Sequence, residues 1–87
     1  MKLKDEFMLC EIAGENIVVP FGSAKTDLRG MLRLNETGVS LWKMLEEGAE
    51  ENALAQMLVD RFGAEAMEAA SDVKEFLKKL KAAGCLQ

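Results

Sequence analysis

The stretch "MLRLNETGVSLWKMLEEG", Met31 to Gly48, changes its hydrophobic period from two to about 3.6 with no spacer between. Leu32 and Leu34 share one face of a short strand, with Met31 and Arg33 on the other. Val39, Leu41, Trp42 and Leu45 then follow the apolar face of a helix. Asn35 between them is a good N-cap, and Glu36 brings negative charge to the positive end of the helix dipole. Leu34 and Val39 occupy the two positions of a hydrophobic staple, which sets the angle between strand and helix. Gly38 stands where a capping box would have Glu, so the expected cap is partial, and Gly48 is the expected stop.

Upstream, "FMLCEI" (Phe7 to Ile12) and "IVVPF" (Ile17 to Phe21) flank "AGEN", which reads as a hairpin turn between two strands. Pro20 cannot donate to a ladder and should mark the end of the second strand. Polar "GSAKTDLRG", Gly22 to Gly30, reads as a connector. Downstream, Leu54, Met57, Leu58 and Phe62 predict a helix over Glu51 to Phe62, ended by Gly63. A longer helix over about Glu65 to Ala83 carries the apolar stripe Ala66, Ala70, Val73, Phe76, Leu77 and Leu80, and Gly84 stops it. A run of strands followed by a run of helices means α+β: a three-stranded antiparallel sheet, then three helices, in one domain over residues 1–87. The short links between helices fit a helix-turn-helix arrangement on one face of the sheet.

Composition mostly excludes. The chain is 49% apolar and 30% charged, the balance of a globular protein and not of a disordered tail. Its apolar runs are too short to span a membrane, and Asp5 arrives too early for a signal peptide, so a cytoplasmic residence is expected. Histidine is absent, which removes the commonest general base and metal ligand. Cys10 and Cys85 lie far apart and match no metal spacing; no metal and no cofactor are expected. A net charge of −4 argues against nucleic acid, where phosphate neutralisation dominates affinity.

Candidate sites compete with plainer readings. Glu46/Glu47, Glu50/Glu51 and Glu65/Glu68 fall at helix ends and exposed faces, where solvation explains them better than acid–base work. "FGSAKTDLRG" lacks the spacing of a phosphate-binding loop. Trp42 is expected in the core. Met31 and Met67 fall off the predicted core faces, which suits either a core border or an adaptable binding surface. Lys74, Lys78 and Lys81 share one flank of the last helix. They read either as a solvated border whose stems cover the core edge or as a cationic rail for an acidic ligand.

The string "LNETGVSLWKMLEEG", a second helix ending "LVDRFG", and then "DVKEFLKKLKAAGCL" resemble the PqqD family. The resemblance spans about Phe7 to Leu86. It is strongest at Leu34, Asn35, Gly38, Trp42 and Leu45, and again at Asp72, Val73, Phe76, Leu77, Leu80 and Gly84. It implies a small winged-helix-like domain, non-catalytic, that binds the leader segment of a ribosomally made precursor peptide. The leader would be presented to a modifying enzyme, often a radical S-adenosylmethionine enzyme that carries the iron–sulfur cysteines itself. In the family the leader adds as a strand beside the third strand, in the groove before the third helix. Carried onto this chain, the peptide-binding residues are Met31, Leu32, Arg33 and Leu34, with Met67, Ala70, Lys74, Lys78 and Lys81 as the helical wall. A leader carrying Asp or Glu would then be steered to the lysines. The opposite flank, Ala69, Asp72, Phe76 and Lys79, is the alternative wall. The chain departs from the pattern at its C-terminus, which stops three residues after Gly84 and leaves no room for a developed wing. The product, pyrroloquinoline quinone or another modified peptide, stays open.

Two readings from other classes stand beside this one. A winged-helix DNA-binding regulator would need a basic recognition helix, but the last helix sets Glu65, Glu68, Asp72 and Glu75 against its four lysines. A structural homodimerisation subunit would show a concentration-dependent mass and no affinity for peptides.

Overall fold

The computed structural model describes Leu3, residues 7–20 and residues 32–86. Met31 and the connector Gly22 to Gly30 lie outside these residues. Strand β1 (Phe7–Ile12) pairs antiparallel with β2 (Glu15–Pro20), from Phe7 opposite Pro20 to Ile12 opposite Glu15. The turn is shorter than "AGEN": only Ala13 and Gly14 lie between the strands, at φ 53° and 82°. Two consecutive positive φ values define a type I′ turn, whose twist matches that of the flanking strands, and Gly14 adopts its share without a Cβ penalty.

Strand β3 (Leu32–Leu34) pairs antiparallel with β2, giving the order β1-β2-β3. Pro20 is the last described residue of β2 and pairs with Phe7; whether the strand stops there, as its missing donor predicts, lies outside the described residues. Three helices follow: α1 (Glu36–Glu46), α2 (Glu51–Phe62) and α3 (Ala66–Ala82). The expected α+β order is therefore the observed one.

The core lies between one sheet face and the helices. Val18 and Leu34 come from the sheet, Leu41, Trp42 and Leu45 from α1, and Leu54 and Leu58 from α2. Met57 of α2, Ala69, Val73, Leu77 and Leu80 of α3, and Cys85 beyond it also belong to it. Trp42 is fully buried, and its Nε1–H donates to Glu46 Oε2 at 3.2 Å, so the indole loses no hydrogen bond on burial.

Two apolar assignments are corrected. Phe62 is exposed at the last residue of α2, with the Arg61 guanidinium 5.8 Å from its ring centroid. On α3 it is Ala69 that is fully buried, whereas Ala66 and Ala70 are exposed. Ala69, Val73, Phe76 or Leu77, and Leu80 repeat at spacings of three and four, and Ala70 stands a further turn of about 100° away from Ala69.

Candidate functional site: an open strand edge facing a helix

The hairpin decides which way β3 points its backbone. A two-residue turn makes its flanking pair, Ile12 and Glu15, a hydrogen-bonded pair, and such pairs then alternate along the ladder. Glu15, Ile17 and Val19 therefore spend their main-chain groups on β1, while Asn16 and Val18 direct theirs to β3. Their partners there are Leu34 and Leu32. Arg33, between them, is left with its N–H and C=O directed away from the sheet. A row of this kind is a template for another strand.

This edge borders an open cleft of about 910 Å³. Its sheet side is Leu32, Arg33 and Leu34, and its far side is the α3 flank carrying Asp72, Glu75, Phe76 and Lys79. The first turns of α1, with Thr37, Val39 and Ser40, and Leu58 and Leu80 from deeper in the protein also line it. Leu34 is buried and Leu32 and Phe76 are half-buried against the core, so part of the floor is apolar. Arg33 reaches out on the other sheet face, where its Nε lies 3.4 Å from Glu15 Oε1.

The strand is held by its junction with α1. The Gly38 N–H donates to Asn35 Oδ1 at 2.8 Å, and Val39 N–H donates to the Asn35 carbonyl at 2.9 Å. A Cβ on Gly38 would lie 3.3 Å from both that Oδ1 and Leu34 Cβ. The residue that broke the capping-box pattern is thus where the helix comes closest to the strand. Glycine permits that approach.

Of the expected site residues, the cleft brings together Leu32, Arg33 and Leu34. Met67, Ala70, Lys74, Lys78 and Lys81 are not among the described residues lining it. They are exposed on the opposite side of α3, because the helix seats its Ala69–Val73–Leu80 stripe on the core and thereby turns Asp72, Phe76 and Lys79 toward β3. Of the alternative flank, Asp72, Phe76 and Lys79 line the cleft and Ala69 is buried in the core. Glu75 and the first turns of α1, which are not among the expected peptide-binding residues, also line the cleft. Phe76 belongs to the expected apolar stripe, and in the structure it is half-buried at the edge of that stripe that lines the cleft.

Among the described residues no polar or charged side chain is buried, and no group of His, Cys, Asp or Glu is placed to hold a metal ion. No helix among them is long and apolar enough to cross a membrane.

These features define a small α+β protein organised around an open strand edge that faces a helix. The chain belongs to the PqqD family: residues 23–86 match the family described as coenzyme PQQ synthesis protein D. No curated protein matches it in sequence. Two solved structures share its fold. One is TbiB1 in complex with the TbiA(β) leader peptide, with a TM-score of 0.81 and 21% identity over 100% of this chain and 95% of that one. The other is a lasso peptide synthetase B1 complexed with the leader peptide, with a TM-score of 0.76 and 20% identity over 97% of this chain and 93% of that one.

Proposed function

We propose that this protein binds the leader segment of a ribosomally synthesised precursor peptide by strand addition at β3 and presents it to a separate modifying enzyme. The observation that carries this reading is the outward-facing N–H and C=O of Arg33, bordering a cleft with a partly apolar floor. Main-chain ladder bonds supply affinity for any extended segment, and the side chains that project toward the cleft supply selection. Family membership and the two leader-peptide complexes of the same fold support it. In this reading the protein is a non-catalytic accessory, which its family membership supports. The partner performs the chemistry, and a radical S-adenosylmethionine enzyme is the partner class proposed.

Hydrogen exchange tests the mode of binding. In the free protein the Arg33 amide should exchange rapidly, while those of Leu32 and Leu34, bonded to β2, are protected. A leader peptide from a precursor gene adjacent to this one should slow Arg33 exchange on binding. A peptide that binds and leaves Arg33 exchange unchanged would falsify strand addition at β3.

A further inference from the structure

The cleft's charge is unbalanced. The Arg33 guanidinium lies beside Glu15, so this pair largely compensates itself. Among the described residues lining the cleft, what remains is three carboxylates, Glu36, Asp72 and Glu75, against the ammonium of Lys79. Two of those carboxylates stand on the α3 flank with Phe76, directly across from the strand edge. The three lysines that would favour an acidic ligand face the other way.

Strand geometry turns this imbalance into a sequence preference. A ligand residue paired with Arg33 projects its side chain to the outer sheet face, as Arg33 does. Its two neighbours project inward, on the side of Leu32 and Leu34, toward α3. On that side the lining offers the half-buried Leu32 and Phe76 for apolar contact and the carboxylates of Asp72 and Glu75 for a cationic one. The geometry points to a ligand segment in which an apolar residue and a Lys or Arg stand two positions apart, with the residue between them paired to Arg33. This rests on the strand-addition reading and specifies the peptide class it takes. Asp72 and Glu75 are its specificity-determining residues, and an acidic residue at the same inward position is rejected by like charge.

The preference is read from a random-dodecapeptide display library selected on the full-length protein, on a D72K/E75K variant, and on Arg33→Pro as counter-selection. Selected peptides are then measured by fluorescence anisotropy. Peptides that bind the wild type and fail on Arg33→Pro should be enriched in an apolar residue two positions from Lys or Arg. Replacing that Lys by Glu should weaken binding at least tenfold, and D72K/E75K should invert the preference. Edge-dependent peptides with no basic residue at that spacing, or an unchanged preference on D72K/E75K, overturn the charge assignment and leave strand addition standing. Peptides that bind Arg33→Pro as tightly as wild type overturn strand addition itself, and the assignment with it. N-methylation of the peptide at the Arg33-paired position, tested on the wild-type protein, gives the same edge readout should Arg33→Pro not fold.

Discussion

The Asn35 side chain closes the first turn of α1 on the Gly38 N–H at 2.8 Å, and Gly38 in turn leaves only 3.3 Å between its would-be Cβ and Leu34. One contact starts the helix, and the other sets how closely strand β3 lies against it. Removing the cap by Asn35→Ala should cost about 1 kcal/mol. Filling the gap by Gly38→Val should cost about 1–2 kcal/mol, because overpacking outweighs the gain over glycine in helix propensity. Urea denaturation of both variants checks this. A Gly38→Val protein as stable as wild type would show that Leu34 yields freely.

Trp42 is the largest fully buried side chain. Trp42→Ala should cost about 3–5 kcal/mol. Folded domains commonly hold only about 5–15 kcal/mol in total, so the variant should melt far below wild type or not fold at all. Trp42→Phe keeps most of the apolar area and loses the bond to Glu46, so its cost should be clearly smaller. Thermal melts followed by circular dichroism separate the three proteins.

Arg33 should matter through its backbone and hardly through its side chain. Its guanidinium is 72% exposed beside a Glu15 that is 48% exposed, and such pairs contribute about 1 kcal/mol or less. Arg33→Ala should therefore keep most peptide affinity. Arg33→Pro removes the outward N–H and restricts Leu32, and should abolish binding while the helices persist. Equal losses in the two variants, measured by anisotropy with both folded, would rule out an edge-directed interaction.

The two flanks of α3 should respond differently to charge reversal. K74E/K78E/K81E changes three side chains outside the cleft lining, so peptide affinity at high salt, where distant exposed charges are screened, should stay within about twofold. Lys79→Glu replaces a cation with a carboxylate beside Asp72 and Glu75 and should tighten binding of a basic peptide a few-fold at low salt. A large loss of affinity in the triple variant at high salt would instead place the ligand on the lysine face.

Local chemistry in the chain determined its elements. The change of period at Leu34 and Asn35, the turn between Ile12 and Glu15 and the helical spacing through Leu80 each reflect interactions within a few residues, so strands, helices and their order were legible in sequence. Leu32, Arg33 and Leu34 were legible as a strand for the same reason, while their reading as a binding edge came from the family resemblance. Periodicity says which residues share a face, but not which way that face turns. The rotation of α3 is set by how Ala69, Val73, Leu77 and Leu80 pack with residues of other elements. That packing put Asp72, Phe76 and Lys79 opposite the strand and sent Lys74, Lys78 and Lys81 outward. The direction of the Arg33 backbone was likewise out of local reach. It follows from a two-residue turn and a register across three strands, a parity that one residue more in the turn would have reversed. Folding free energy is collected from such long-range contacts, and they alone decided what the cleft presents to a ligand.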